Sequence, residues 1–393
     1  MHILFLTPWY PNRHDAMDGI FVRKHAQAVA RQGVCVSVIR VRSDAEVKDF
    51  EIERHTVADV DEVLVYYPIS KLPVLKQISI LVNFIRGMIA AYGMVVERHG
   101  QPDVCQVNVL TRMGIVAWWL KIFKGIPYAI IEHWGRYMTS RNDYKGFVRK
   151  RMTEIACRGA SVIMPVSNDL AHAMQNCGIK AKRWLPIHNV VNDCFFTQKD
   201  IEPADNKFRL LCVTTVNEFQ KNTAGTIRAL SIVAKTRRDV HLTIIGLNEA
   251  TEPMVPEVTQ AVSDTGMREF VTFAGEIAPA HVSRYMHSSD ALVLFSNRET
   301  SSVVIHEALA SGLPTVATKL GCLPEIVNGT NGILVEPRDE IALADAILSI
   351  MDGRRVFDKE KIRESSREFS YDSIGRQLVG VYRGIADNQR KNH

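Results

Sequence analysis

The segment RETSSVVIHEALASG, residues 298–312, holds two acids, Glu299 and Glu307, with seven mostly small or apolar residues between them. A carboxylate offers two acceptor oxygens and can take two vicinal hydroxyl protons in charge-assisted hydrogen bonds, the chemistry of sugar recognition. The residues before it, ALVLFSN (291–297), read as a strand, and VVIHEALAS reads as a helix closed by Gly312, with Ser301 or Ser302 as its N-cap. The first turn of such a helix presents N–H groups and the positive end of its dipole, a seat for phosphate. Acids flanking that seat would be repelled by phosphate, so each needs another role. One could hold the ribose of a nucleotide and the other a second sugar beyond a diphosphate. Both could equally be ordinary helix acids, and spacing alone does not separate the two readings.

The elements that position these residues follow from the rest of the chain. At 393 residues the protein is too long for one ordinary core and predicts two domains. HILFLT, then a helical pattern GIFVRKHAQAVARQG, then CVSVIRV give a β-α-β order near the N-terminus. The same order returns from residue 208, in FRLLCVTT, AGTIRALSIVAKTRR and VHLTIIG. The echo predicts an α/β protein of two tandem Rossmann-like, doubly wound domains. Apolar periodicity lapses over residues 186–207, so the boundary is set at 1–196 and 197–374. In such sheets ligands bind beyond the carboxyl ends of the strands, where the two acids sit.

Composition narrows the class further. A net charge of +5 with 46% apolar and 23% charged residues favours an anionic ligand or membrane surface and does not call for nucleic acid. Seven scattered cysteines without a C-x-x-C pair point to neither a disulfide framework nor a zinc cage. The opening apolar run is a strand and too short for a signal peptide core, so a cytoplasmic protein is expected. ISILVNFIRGMIAAYGMVV (78–96) approaches membrane-spanning length, but Asn83 and Arg86 interrupt it and it is read as a buried helix. Asp59-Val60-Asp61 is read as a turn between strands rather than a metal motif, and catalysis is expected to need no cofactor and no metal.

ETSSVVIHEALASGLPTVATKLGCLPEIV resembles the donor-binding signature of the retaining family 4 glycosyltransferases, which have the GT-B fold. The matching elements are Glu299, Glu307, Gly312 with Pro314, TVAT, Gly321, and Pro324 with Glu325. The resemblance implies two domains facing across a cleft and a C-terminal helix, from about residue 375 to 393, crossing back to the first domain. It implies that Glu299 contacts the transferred sugar, that Glu307 binds the ribose, and that amides near Ser301, Ser302 and Val303 meet the diphosphate. LTPWYPNRHDAMDGIFVRKH is similar to the family's first loop and helix, giving Gly19 a place near the diphosphate, although Asp18 replaces a usual second glycine. PYAIIEHWGRY implies that His133 faces the donor sugar, and FAGEIAPAHVSRYM that Gly275 to Ile277 lie against the base. VTTVNEFQKN supplies Lys221 for the diphosphate, while the arginine the family carries in that loop is missing.

What the resemblance implies is retaining transfer of a sugar from a UDP- or GDP-linked donor to a glycan or lipid-linked acceptor, in surface polysaccharide or glycolipid assembly. A sugar-nucleotide 2-epimerase or a non-catalytic sugar- or nucleotide-binding protein of the same architecture are the alternatives. No G-x-G-x-x-G follows a strand, which sets a dinucleotide dehydrogenase aside. SRNDYKGFVRKRM (140–152) gathers Arg141, Lys145, Arg149, Lys150 and Arg151 with Phe147, Val148 and Met152. It is either a solvated basic helix or a landing face for anionic lipid at the inner membrane surface.

Overall fold

The computed structural model describes residues 1–69, 73–110, 112–138, 143–197, 205–248 and 250–391. The chain forms two compact units, residues 1–190 with 371–393, and residues 191–370. This differs from the boundary expected at 196, because Val191 and Phe195 are buried in the apolar core of the second unit. Arg141, in the proposed basic face, lies outside the described residues.

The first unit is built on seven strands: β1 (His2–Leu6), β2 (Cys35–Ser43), β3 (Glu51–Val57), β4 (Val60–Tyr67), β5 (Val104–Asn108), β6 (Tyr128–Glu132) and β7 (Val162–Pro165). They lie in the order β3-β4-β2-β1-β5-β6-β7, all parallel except the edge strand β3. Every residue of β1, β5 and β6 is buried, as a strand covered by helices on both faces requires. β3 and β4 join through Ala58 and Asp59, both with positive φ, the backbone of a tight hairpin. Asp59 is therefore in the expected turn, whereas Asp61 lies in β4 and pairs with Arg54 and His99.

The last helix, Tyr371–Lys391, buries Tyr371, Ile374, Leu378, Val379, Tyr382 and Ile385 along one side. It packs on the helix Ile20–Ala30 within the first unit. Gly375 permits the approach, since a Cβ there would lie 2.2 Å from the Ala28 carbonyl oxygen.

One expectation is overturned here. The helix Pro73–His99 packs Phe84, Gly87, Met88, Ala91 and Val95 onto β2 and β4, but only 28% of its most apolar window is buried. Ile78, Leu81, Val82, Ile85 and Ile89 face outward, because the sheet covers one side of a helix that is apolar around most of its circumference.

The second unit has six strands: β8 (Phe208–Val213), β9 (Val240–Ile245), β10 (Val271–Gly275), β11 (Ala291–Leu294), β12 (Thr315–Thr318) and β13 (Gly332–Val335). All neighbours are parallel, in the order β10-β9-β8-β11-β12-β13. From β8 the chain builds outward through β9 to β10, then returns to add β11 on the other flank of β8. The loops leaving β8 and β11 run in opposite directions and open a crevice between them, where doubly wound sheets hold ligands.

Candidate active site

Both loops at that crevice carry chemistry. The loop after β8 runs through Thr214 to a one-turn helix, Glu218–Lys221, and the loop after β11 runs through Ser296 to Ser302. Lys221 Nζ donates to Glu299 Oε1 at 2.9 Å, and Ser296 Oγ donates to the same oxygen at 2.9 Å. The Glu299 side chain is only 5% exposed and that of Lys221 16%, so the pair is shielded from water. The Asn297 N–H and side-chain amide donate to the carbonyls of Gln220 and Phe219 and fasten the two loops together. Asn217 accepts from the Gln220 N–H, and Glu218 accepts from the N–H groups of Thr223 and Ala224 at the start of the next helix. Lys221 is thus mounted between two capped turns.

The helix Val303–Ala310 begins at Ser302. Ser302 is the N-cap in backbone geometry, but it makes no side-chain capping bond, contrary to the capping expected from sequence. The first-turn N–H groups have no partner within the helix and point to the side from which the loop arrives. Glu307 is half-buried on the second turn. Structure therefore brings Lys221 and Glu299 into contact, with Ser301, Ser302, Val303 and Glu307 following on the same loop and helix.

Gly275 ends β10 and Ile277 follows it, at the same C-terminal edge, separated from β11 by β9 and β8. Gly275 has φ 76 and accepts the Gly246 N–H while donating to Leu247. Ile277 and Val304 pack against the same apolar cluster, which links the two places through the core.

In the first unit the corresponding switch point lies between β1 and β5. Gly19 closes the loop after β1 with φ 61, and a Cβ there would fall 2.3 Å from the Trp9 carbonyl oxygen. Close backbone packing inside the loop thus already requires glycine at this position. Asp18 accepts from Asn12 and Arg42, so it is tied to the strand ends. His133 follows β6, its ring 4.3 Å from Phe21 and 5.7 Å from His25. Burial and the His25 ring hold its imidazole well below the usual histidine range, with Asn189 opposing, so the ring is neutral. Glu132 positions it: the fully buried carboxylate accepts the N–H groups of Leu110, His133 and Trp134. Burial nevertheless raises the Glu132 carboxyl above the usual range.

Sequence reading missed two neighbours of the pair. Ser296 was inside the quoted strand, and its role depends on a turn that no motif encodes. Arg298 stacks its guanidinium 4.5 Å from the Phe219 ring centroid, on the turn that carries Lys221, and pairs with no carboxylate among the described residues. Its signal was the vacancy itself, a loop lacking the expected arginine next to a loop containing one.

Among the described residues His14, Asp44 and Glu46 come close enough to share a cation. Asp44 is already engaged by Arg13 at 2.9 Å and His14 at 2.7 Å, which makes this an ion-pair cluster at the strand ends. Partial burial opposes ionisation, yet the bonds from His14 and Arg13 hold the Asp44 carboxyl below its usual range.

Two Rossmann-like units, the second with a shielded Lys-Glu pair on the loops leaving its two central strands, define the architecture. The family model described as glycosyl transferases group 1 matches residues 207–353, and the glycosyl transferase 4-like domain matches residues 19–190. The chain belongs to the family 4 glycosyltransferases of the GT-B fold. It is 28% identical over 147 residues to D-inositol 3-phosphate glycosyltransferase of Xylanimonas cellulosilytica, a match covering 37% of this chain and 35% of that relative. The chain thus spans about a third of that relative's length. Sucrose-phosphate synthase of Thermosynechococcus elongatus shares its fold with TM-score 0.73, 19% identity and coverage of 98% and 99% of the two chains. Anabaena HepE, solved in complex with UDP, superposes with TM-score 0.70 and 18% identity over 98% and 100%.

Proposed function

We propose that this protein transfers a sugar, with retention of anomeric configuration, from a nucleoside diphosphate sugar to a hydroxyl of a glycan or lipid-linked acceptor. The observation that carries the reading is the Lys221–Glu299 pair just before the helix Val303–Ala310, whose N-cap Ser302 makes no side-chain capping bond, with Glu307 one turn further on. Such an arrangement answers the repulsion problem posed by the two acids. Lys221 neutralises Glu299 in the free protein, and an incoming diphosphate offers Lys221 a second anionic partner while the Glu299 oxygens turn to sugar hydroxyls. Glu307 is assigned to the ribose, and the amides of Ser301 to Val303 to the diphosphate. Gly275 and Ile277 are assigned to the base, and Gly19 and His133 to the donor from the first unit's side. The UDP complex of HepE supports a uridine nucleotide as the first donor to try.

In the reaction the bond between the anomeric carbon and the diphosphate oxygen breaks, and negative charge gathers on the leaving group. Lys221, Arg298 and the helix amides are assigned to that charge, and losing one such donor costs about 3 to 4 kcal/mol of transition-state stabilisation. The acceptor oxygen attacks the face from which the diphosphate leaves, and its proton passes to a diphosphate oxygen. These cationic and N–H groups supply the charge stabilisation a metal would otherwise give, so turnover is assigned as metal-independent. The acceptor belongs to surface polysaccharide or glycolipid assembly at the inner face of the membrane. Residues 143–152 of the basic stretch supply a cationic contact there, with Phe147 and Val148 exposed at the start of a helix.

The test is release of free UDP from UDP-sugars, with a panel of glycan and lipid acceptors and with EDTA present. Acceptor-dependent UDP release with an α-linked product from an α-linked donor supports the assignment. Interconversion of the donor with its C2 epimer, without transfer, would identify the epimerase instead.

A further inference from the structure

A run of exposed apolar side chains lies away from both sets of strand-end loops. On the helix Pro73–His99, Ile78, Leu81, Val82, Ile85 and Ile89 are 47% to 68% exposed. At the helical repeat they project within an arc of about 100° and run for roughly 16 Å. The side carrying Phe84, Met88, Ala91 and Val95 is buried, and a Cβ on Gly87 would press on Val41 and Val65. The next helix, Arg112–Lys124, adds exposed Trp119, Ile122 and Phe123. The crossovers from β4 to β5 and from β5 to β6 advance in one direction along the sheet, so right-handed connections place both helices on one face. Arg112 joins them, its guanidinium 5.7 Å from the Phe84 ring.

Charge decides what covers this surface. From Val63 to Val96, and again from Val104 to Ile131, the chain has no Asp or Glu, while Lys76, Arg86, Arg112, Lys121 and Lys124 lie on the two helices. Isolated exposed aliphatics are ordinary, but a contiguous stripe of this size marks an interaction site. Among the described residues of the two helices the charges beside the stripe are cationic except Glu97, two turns beyond Ile89, and with a tryptophan at the margin this matches the chemistry of an anionic bilayer interface.

We propose that the outer faces of Lys76–His99 and Arg112–Lys124 insert shallowly into an anionic lipid surface, with the helix axes lying along it. The helix cannot span a bilayer in this fold, since its inner side is fixed on the sheet. The proposal deepens the membrane part of the reading above and rests on it, but not on the sugar-transfer part. It assigns the apolar insertion to these helices and leaves residues 143–152 a purely electrostatic share.

The experiment compares the full chain, a Leu81→Ser/Ile85→Ser variant and an Arg149→Glu/Lys150→Glu/Arg151→Glu variant on vesicles of phosphatidylcholine with about one-third phosphatidylglycerol. Both substituted sets lie on the surface, and circular dichroism checks that each variant is folded. The parent is expected to sediment with the vesicles and to keep a large fraction bound in high salt. Leu81→Ser/Ile85→Ser should lose at least tenfold in partition and become fully salt-labile, whereas the charge-reversed variant should keep its salt-resistant fraction. Equal binding by the parent and Leu81→Ser/Ile85→Ser would overturn the proposal, as would no binding by the parent. A parent dimer that this variant turns into a monomer would assign the stripe to a second copy and overturn it too. No donor or acceptor enters the assay, so it can fail while the transferase reading stands.

Discussion

Lys221 Nζ and Glu299 Oε1 meet at 2.9 Å across 78 residues of sequence, joining the loops that leave the two central strands of the second sheet. Each charge is held by the other in a place largely closed to water, so removing one leaves its partner poorly solvated.

Lys221→Ala should cut turnover by roughly 100-fold or more, because the leaving diphosphate loses a fixed cation. It should also lower the melting point modestly, since Glu299 keeps Ser296 but loses its counter-ion. Steady-state kinetics and a thermal melt on one preparation check both effects. A folded Lys221→Ala enzyme of normal turnover would mean that another group serves the diphosphate.

The two acids should separate. Glu307→Ala should weaken binding of free UDP by about ten- to a hundredfold, as ribose hydroxyls lose a charged acceptor worth about 1.5 to 3 kcal/mol. Glu299→Ala should leave UDP affinity nearly unchanged and lose transfer rate with the sugar donor, since contacts to the sugar count most as its ring gains positive charge. Calorimetry with UDP and turnover with UDP-sugar measure the halves. Equal loss of UDP affinity in both variants would make them ordinary helix acids.

On the proposed reading Arg298→Ala should weaken UDP more than uridine, because the guanidinium stands beside Phe219 on the turn that carries Lys221. Arg298→Lys should restore part of the loss, as a point charge replaces a planar fork. Equal effects on UDP and uridine would assign Arg298 to packing on Phe219 alone.

What could be read from sequence was local. Glu299, Glu307 and the Gly312 turn stand within one strand-loop-helix unit, and their spacing survives into the structure. The pairing of Lys221 with Glu299 was not legible, because strand order, and not sequence distance, brings their loops together. Ser296 and Arg298 were in plain view, but which way each points is set by the tie of Asn297 to Gln220. The helix Pro73–His99 was misjudged for a different reason. Its apolar residues occupy two stripes, periodicity reports both equally, and only the sheet decides which is covered.

Acid should destabilise the first unit through His25. Burial lowers this imidazole to about 4, while its Nε2–H donates to the His188 carbonyl. The unfolded chain takes up the proton near the ordinary value of about 6.5, so between that pH and 4 it binds more protons than the folded state. Stability from this group is therefore full above about pH 6.5 and falls as pH drops towards 4, by roughly 2 kcal/mol at pH 5. Melting points from pH 7 to 5 should fall less steeply in His25→Gln than in the parent. Parallel slopes would show that His25 does not control the loss.

The helix Tyr371–Lys391 fills a groove of the first unit with Tyr371, Leu378 and Tyr382, and Tyr382 donates its hydroxyl proton to Gln106 beneath it. In vectorial synthesis this puts the two units out of step. Residues 191–370 are contiguous and can close their own core as soon as they leave the ribosome, whereas residues 1–190, made earlier, must wait for a helix translated after the second unit. During that interval the older half of the nascent chain carries an open apolar trough, and a stall downstream of residue 370 would hand it to chaperones half-finished.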